Sequence, residues 1–538
     1  MTVITLLLTG DVGLAWGTVT DFGAGERAPR VRDPSGEVHL TSEDRTNVPG
    51  NKLTRRGFLK AAGAGAAWIA LTNTPSCAPA QRAPKVRSFR SRPDLSPPAV
   101  KVATQTPVIA PGYIFVAPKE GTAQNGPMIV DDRGELVWFR PLQNQNEYAM
   151  DFKVQHYKGE PVLTWCESRV VAGHGLGEYV IVDGSYREIT RLKAGNGYEG
   201  DHHEFLITPH DTSLLTIYNP VRWDLSSVGG PKDGMALDGI VQEIDIESGE
   251  VHFEWHSLEH VGVEESYIRA DQDQTEPFDY FHINSIDVDH DGNLLVSARK
   301  TFTIYKIDRK RGHVIWQLGG KKSSFAMGWG TEFRYQHDAR RQPDGTITLF
   351  NNGSVDIIDP SCGLVLQLDV DRLSASLVRK YAQPARRHAA TMGNMQVLPG
   401  GNVFIGWGSE PDFSEFTSDG DLVFDASFPP LVESYRAFRF PWSGHPSDRP
   451  VAVAERASEE EVRVYASWNG ATQVATWEVL AGPRSGQLES LGSVPREGFE
   501  TAMLARTAEP YVVVRAKDCS GRVLGATEAV KQTRRSPS

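Results

Sequence analysis

The chain has 538 residues, a net charge of −12 at pH 7, 40% hydrophobic residues, 51 Gly, 33 Pro and 4 Cys. The acidic balance, with a pI of 5.7, excludes a general nucleic-acid binder, which needs clustered Lys and Arg against phosphate; without a run of about 20 apolar residues, no stable membrane insertion is expected. The length admits two or three domains, and apolar strand-like segments broken throughout by Gly and Pro predict an all-β protein.

The N-terminal part reads as an address. Thr54-Arg55-Arg56-Gly57-Phe58-Leu59-Lys60 precedes a mildly apolar, Ala/Gly-rich stretch from Ala61 to Leu71, and Ala78-Pro79-Ala80 offers a small-residue cleavage site. Residues 51–80 are therefore similar to a twin-arginine (Tat) signal, which hands folded proteins to the Tat export machinery and places the mature protein in the periplasm, outside the cell or on its surface. Cys77 lacks the preceding apolar residue that lipid attachment requires. Residues 1–50 are either an extension or the product of a mis-assigned start near Val48, since Met1 is followed by no Met before Met128. Residues 81–107 read as a linker. Cys166, Cys362 and Cys519 are far apart and form no C-x-x-C pair, so neither a disulfide framework nor a zinc site is signalled, and buried free thiols are expected.

Residues 108–445 read as a repeat. Its clearest unit has strands at Ser285–Asp289, Leu294–Arg299, Thr303–Asp308 and Val314–Gln317, with turns at Asp291-Gly292-Asn293 and Arg311-Gly312-His313. Weaker copies run from Phe152 to Leu192, Phe205 to Trp255, Arg340 to Leu366 and Met395 to Phe424. A partial copy, Tyr113–Arg140, gains its missing strand from Tyr435–Phe440, closing a ring. About six four-stranded units predict a six-bladed β-propeller. Residues 449–531, with alternating strands at Val462–Trp468, Thr472–Val479 and Tyr511–Ala516, read as a small Ig-like β-sandwich with a packing or surface-attachment role, and 532–538 as a tail.

Three histidines share one phase of the repeat: His202-His203-Glu204-Phe205, Phe281-His282-Ile283-Asn284 and Gln336-His337-Asp338-Ala339. In a propeller the first strand of each blade lines the channel, so these imidazoles converge. Strand alternation lets only one of His202 and His203 point inward; ungapped comparison with the His282 repeat favours His202. By the same alternation Asp338 points away from whatever His337 faces. Arg299 ends the strand paired with the one His282 begins, and so reaches the same pocket. Three imidazoles and a guanidinium suit an oxyanion, and histidine supplies nucleophile, acid or base near neutral pH. A three-histidine zinc site is the competing reading, disfavoured by the adjacent Arg, so no metal is expected. Asp287-x-Asp289-x-Asp291-Gly292 imitates a calcium loop but has Ala298 where the closing Glu belongs, and reads as a hairpin turn.

Pro111-Gly112-Tyr113-Ile114-Phe115-Val116-Ala117, Asp201-His202-His203-Glu204-Phe205, Phe281-His282-Ile283-Asn284-Ser285-Ile286, Leu295-Val296-Ser297-Ala298-Arg299, Gln336-His337-Asp338-Ala339-Arg340 and Gly393-Asn394-Met395-Gln396 together resemble the arylsulfate sulfotransferases of the bacterial and fungal arylsulfotransferase group. The resemblance runs from about Val108 to Trp442 and implies a six-bladed propeller. It also implies ping-pong transfer of a sulfuryl group from an aryl sulfate donor to a phenolic acceptor through a sulfated histidine, with no nucleotide donor or other cofactor. Carried onto this sequence, His337 looks like the nucleophile, the family motif selects His203 over His202, and His203, His282 and Arg299 look like the groups that hold the sulfate oxygens and protonate the leaving phenolate. The better-studied periplasmic members carry a disulfide near the active site that no Cys pair here supplies, which points to a less characterised branch.

Candidate substrate-binding residues are Asn284 and Asn394, within the matching motifs, and Tyr335 and Trp407, from a set of aromatic residues (also Trp223, Phe281 and Trp329) that could sandwich an aryl ring. The loops Trp223–Gly239 and Glu264–Tyr280 are candidate lids. Two other function classes are a non-catalytic exported propeller that binds an anion or a partner, and a quinoprotein-like dehydrogenase, whose blade-docking Trp pattern Asp308-x-x-x-Gly312-x-x-x-Trp316 weakly resembles.

Overall fold

The structure, a computed structural model, describes residues 86–144, 146–354, 359–385 and 387–534. The twin-arginine segment, Ala78-Pro79-Ala80, Cys77 and residues 1–50 lie outside the described residues. The described part is almost wholly β. Its strands between 101 and 440 assort into six sheets of four or five strands: 113–139 with 433–440, then 148–192, 205–256, 283–319, 326–381, and 394–427 with 101–105. Each sheet is an antiparallel meander, apart from the edge pairing of Ala326–Met327 parallel to Ser374–Tyr381. Second strands such as Leu294–Ala298, Ile347–Asn351 and Val403–Gly406 are buried at every residue, because both faces of a sheet are covered by neighbours. They therefore appear in the sequence as short apolar runs rather than as alternating ones.

The strand expected near Tyr435–Phe440 is Glu433–Phe440, which pairs antiparallel with Tyr113–Lys119 from the far end of the region. Lys101–Gln105, placed in a linker by the sequence reading, is instead a strand that covers the outer edge of the last sheet through Leu422–Ser427. Thr533–Arg534, read as tail, pairs with Glu455 and Arg456. The Trp223–Gly239 lid also differs. Paired strands continue to Trp223 and Gly234, and in the second candidate lid the Phe278 carbonyl accepts from Leu237 N–H at 3.0 Å while Phe278 N–H donates to the Met235 carbonyl at 2.8 Å. The two segments are thus zipped together by backbone hydrogen bonds. The acidic string at Asp287–Asp291 is a hairpin turn at Gly292 (φ 81°). Asp289 and Asp291 pair with Lys306 at 2.8 and 2.6 Å, and Asp289 also with Arg341 at 2.8 Å, so side-chain cations occupy the acids.

First strands of neighbouring sheets lie against one another: 433–440 against 148–157, 148–157 against 205–207, 283–288 against 337–341, 337–341 against 394–397, and 394–397 against 433–440. One fully buried guanidinium ties them together. Arg436 Nη1 donates to Asp151 at 2.7 Å and to Glu204 at 3.2 Å, its Nη2 donates to the Asn284 carbonyl at 3.0 Å, and Asp338 lies 3.6 Å away. Lys153 bridges Asp151 and Glu204 at 2.6 and 2.7 Å. Arg340 joins Glu204, Asp338 and the Ile286 carbonyl, and Asp338 accepts the Met395 N–H at 3.1 Å. The network thereby holds residues from all six sheets. Burial opposes the charge on Glu204, but Arg340, Arg436 and Lys153 hold its carboxyl well below the usual range.

Residues 451–534 form two sheets that share one core around Trp477, Val462, Val464, Val512 and Val514. They are fastened to the first sheet through Asn469, whose side-chain amide accepts from Phe139 N–H (3.0 Å) and donates to its carbonyl (2.9 Å). Gly470 adds a backbone bond to Val137, in a left-handed conformation (φ 91°) where a Cβ would strike the Tyr186 ring at 2.3 Å.

Removing one partner of a buried charge network leaves the others uncompensated, at a cost of about 3–5 kcal/mol. Arg436→Ala should lower unfolding stability by about that much, whereas Arg449→Ala, an exposed ion pair at 3.7 Å, should change it little. Chemical denaturation of the two variants compares them directly; equal effects would contradict this account of the fold.

Candidate active site

His203, His282 and His337 come from three different sheets and meet at one end of the Arg436 network. The His203 and His282 rings lie 5.0 Å apart, nearly perpendicular. His337 lies close enough to Arg299, His203 and His282 for their charges to act on it. Arg299 reaches this place as the hairpin pairing requires: its N–H donates to the His282 carbonyl at 2.9 Å. Its guanidinium lies over the Tyr335 ring at 4.6 Å, Nη2 donates to the Ala390 carbonyl at 2.9 Å, and Nε is buried without a partner. Among the described residues no carboxylate lies within ion-pair distance of Arg299. A half-buried cation in this condition is arranged to receive an anion. The backbone here is strained: His282, Phe302, Tyr335 and Asp338 all have φ between 52° and 56°, a conformation that non-glycine residues hold only when surrounding contacts fix it.

Each imidazole is held from behind at Nδ1, by a different chemistry. His203 Nδ1 donates to Asp201 at 2.8 Å and His282 Nδ1 to Asp279 at 2.5 Å. His337 Nδ1 meets the side-chain oxygen of Asn352 at 2.7 Å and the Tyr335 carbonyl at 3.1 Å. The Asn352 amide nitrogen donates to the carbonyls of Ala389 and Met392 at 2.8 and 2.9 Å, which fixes its oxygen toward the histidine. His337 must then carry its proton on Nδ1, leaving a lone pair on Nε2. Burial first, and then the Arg299 cation, hold the His337 pKa well below the ordinary imidazole value. Burial also presses His282 down to about 4, against the opposing pull of Asp279. Asp201 and Asp279 remain ionised: despite burial, the histidines beside them hold both carboxyls far below the usual range.

Residues 153–429, just over half the chain, match the family described as Arylsulfotransferase (ASST). The chain belongs to the arylsulfotransferase family. Its activity is accordingly of the sulfotransferase type, on small aryl molecules. No curated protein matches it. Solved structures with a partly similar trace include a protein of unknown function from Bacteroides caccae (14% identity, 61% of this chain and 98% of that chain, TM-score 0.38). Virginiamycin B lyase from Staphylococcus aureus (10%, 60% and 87%, TM-score 0.32) and a GH43 protein from Bacillus licheniformis (10%, 72% and 89%, TM-score 0.30) are similar in the same limited way. At these scores none of them bears on the arylsulfotransferase site.

The other expected residues divide. Asn394 is spent on structure: its side chain donates to the Ala437 carbonyl at 2.8 Å and accepts the Ala437 N–H at 2.9 Å, imitating a strand. Trp407 is fully buried against Phe350 and Phe416, with its indole N–H on Ser414, and cannot meet a substrate. Phe281 is likewise core, Trp223 lies on the exposed hairpin, and Trp329 is 95% exposed. Asn284 is buried beside the site, donates to the Gln336 carbonyl at 2.7 Å and keeps its side-chain oxygen unpartnered. Asp338 turns from His337 into the Arg436 network, at a left-handed φ of 56° within the irregularity between His337 and Arg340 rather than by regular alternation. Alternation does not govern His202 and His203, because the strand begins only at Phe205. Both rings are buried and stacked at 4.5 Å; His203 faces His282, and His202 sits behind it on Ser168.

Asp201, His202 and His203 are near enough together to suggest a metal. The Asp201 carboxylate, however, already accepts from His203 N, His203 Nδ1 and Thr216 Oγ1 at Oδ2 and from Gly175 N at Oδ1, at 2.6 to 2.9 Å, so these bonds account for the cluster as it stands. Cys166 and Cys362 are buried free thiols, whereas Cys519 is exposed, contrary to expectation, in the turn after Tyr511–Lys517. No helix of the described residues is long and apolar enough to cross a membrane.

Sequence reasoning missed Asp201, Asp279, Asn352, Tyr218 and His174. Asn352 follows the strand paired with the one that starts at His337, much as Arg299 follows the partner of the His282 strand, so the hairpin argument that found Arg299 also reaches it.

A pKa lowered from the unfolded value of about 6.5 means that the neutral ring persists on acidification. In a histidine NMR titration His282 should reach its midpoint near pH 4, and His337 should stay neutral through the range in which an ordinary imidazole titrates. A midpoint near 6.5 for either ring would remove the burial argument.

Proposed function

We propose that this arylsulfotransferase moves a sulfuryl group from an aryl sulfate to a phenol by a ping-pong mechanism, with His337 as the group that carries it. The observation that carries the reading is the amide behind His337, where His203 and His282 have carboxylates. At His282 the Nδ1 carboxylate opposes the effect of burial, and a bound sulfate anion adds to that pull, so this ring, and His203 in the same arrangement, are suited to hold the sulfate oxygens through Nε2–H and to give a proton to the leaving phenolate. An amide gives no such stabilisation, so His337 stays neutral with Nε2 free for in-line attack on sulfur. As the N–S bond forms, the S–O bond to the aryl group breaks and its electron pair leaves with the phenolate. Arg299, lacking a carboxylate, supplies the fixed positive charge for the sulfuryl oxygens. The second half-reaction returns the sulfuryl group from Nε2 to an acceptor phenol and regenerates His337.

On the same reading the six sheets are blades of a six-bladed propeller closed by Glu433–Phe440, the histidines lie in its channel, and residues 451–534 are an Ig-like sandwich with a packing role. Thr54–Lys60 is its twin-arginine signal for export to the periplasm or cell surface. Attack through a protein histidine needs no nucleotide cofactor, which suits a compartment away from cytoplasmic nucleotides.

Incubation with 4-nitrophenyl sulfate followed by intact-mass measurement should show a gain of one sulfuryl group, absent in His337→Ala and lost from the wild type when a phenol is added. Arg299→Met should slow loading on the order of 100-fold, the usual cost of one lost oxyanion donor. Turnover by His337→Ala at the wild-type rate would rule the mechanism out.

A further inference from the structure

A hairpin between the strands Glu160–Val171 and His174–Val182 reaches the same site. Its turn holds Ala172 and Gly173 at φ 48° and 92°, and a Cβ on Gly173 would stand 3.8 Å from the His282 ring. The segment Gly173-His174-Gly175-Leu176-Gly177 can lie this close only because of its glycines. A Cβ on Gly175 would meet His202 Nδ1 at 2.4 Å, and one on Gly177 the Glu167 carbonyl at 2.2 Å. Backbone bonds clamp it: Gly175 N–H donates to Asp201 at 2.6 Å and Gly177 N–H to the Gly200 carbonyl at 2.9 Å. The carboxylate that orients His203 therefore also anchors this hairpin.

The ring it delivers is His174. It is 8% exposed, and its Nδ1 is buried with no partner. It stacks on Tyr218 at 5.0 Å, and Tyr218 lies 5.6 Å from His203 and 5.7 Å from His282. The Tyr218 hydroxyl is committed to the Ile283 carbonyl at 2.6 Å, so this tyrosine is a platform and no proton donor to substrate. The charges that act on His174 are chiefly Asp201, Asp279 and His203, whereas those acting on His337 are Arg299, His203 and His282. His174 thus reaches the His203–His282 pair through the Tyr218 ring and the hairpin turn, whereas His337 enters from the strand His337–Arg341. In-line displacement puts the incoming oxygen across sulfur from the His337 nitrogen, so the acceptor needs a base that faces that oxygen and is not already hydrogen-bonded.

We propose that His174 is a further catalytic residue of this enzyme, the base that takes the proton from the acceptor phenol. As the phenol oxygen bonds to sulfur, the S–N bond to His337 breaks and its electron pair returns to Nε2. The phenol proton passes to His174 and from there to water; by microscopic reversibility the same ring, with His203 and His282, can return a proton to a basic phenolate leaving in the first half-reaction, a step that the acidic 4-nitrophenolate does without. The proposal rests on the sulfohistidine reading above. Among the imidazoles at the site His174 alone has no hydrogen bond, so its lone pair is free for a substrate. Burial lowers its pKa, which keeps it in the neutral, proton-accepting form.

The test separates the two half-reactions by rapid mixing. Loading is followed by the 4-nitrophenolate burst, and transfer by decay of the sulfated mass after adding phenols of graded acidity. His174→Gln and His174→Ala should keep a burst, whose amplitude counts competent sites and so corrects for any misfolded fraction. Transfer should slow by on the order of 100-fold with ordinary phenols, and the deficit should shrink as the acceptor becomes more acidic. Added imidazole should partly restore His174→Ala. Transfer at the wild-type rate, a deficit independent of acceptor acidity, or an equal fall in both half-reactions would overturn the role of His174 and leave the sulfohistidine intact. A wild type that never loads His337 would overturn both.

Discussion

The Arg436 guanidinium is the constraint on which the rest of the molecule depends. It lies at 0% side-chain exposure among Asp151, Glu204 and Asp338, with Lys153 and Arg340 completing the balance of charge. A buried ion network contributes little net stability compared with apolar packing, because desolvation consumes most of the Coulomb gain. What it gives here is registry. Glu204 follows His203, Asp338 follows His337, and the carbonyl of Asn284, two residues beyond His282, receives Arg436 Nη2. Each histidine is therefore within two residues of a point fixed to the same cation, so the three sheets are held to one relative position. Apolar contacts, which slide, would not set imidazoles to this tolerance.

The same rigidity explains how the strained backbone persists. Residues such as His282, Tyr335 and Asp338 at positive φ each cost about 1–3 kcal/mol. Gln336, between two of them, is pinned by its side-chain amide to Ser297, Ala298 and Thr303 at 3.0 to 3.1 Å. The strain turns successive side chains to different tasks within a few residues: Tyr335 beneath Arg299, His337 toward Asn352, Asp338 into the charge network. A regular strand could offer only two directions.

This difference also marks what could be read from the sequence. Periodicity and turn residues reveal the strands, because Leu294–Ala298 or Val403–Gly406 are buried on both faces and must be apolar. Repetition reveals His203, His282 and His337, and hairpin pairing brings in Arg299. Three features were harder to see. Asn394 and Trp407 have residue types suited to substrate, but Asn394 is used to complete backbone hydrogen bonding, a demand invisible without the neighbouring strand. Asp201 and Asp279 precede their histidines by two and three residues, spacings that mean something only where the chain leaves the strand. His174 belongs to no repeat phase at all; its signal is the run of glycines around it, which a reading focused on strands takes for a turn.

The pairing of Tyr113–Lys119 with Glu433–Phe440 has a temporal consequence. These strands are separated by more than 300 residues, and long-range pairing of this kind is slow and entropically costly to nucleate. During synthesis the first sheet must wait with an unsatisfied edge until nearly the whole region has left the ribosome, and unpaired edges are where chains associate wrongly. Arg436 lies on that last strand, so the charges awaiting it stay uncompensated for the same interval. The final strand to emerge thus acts as a latch, and a nascent chain stopped short of it has neither a completed first sheet nor a neutralised centre.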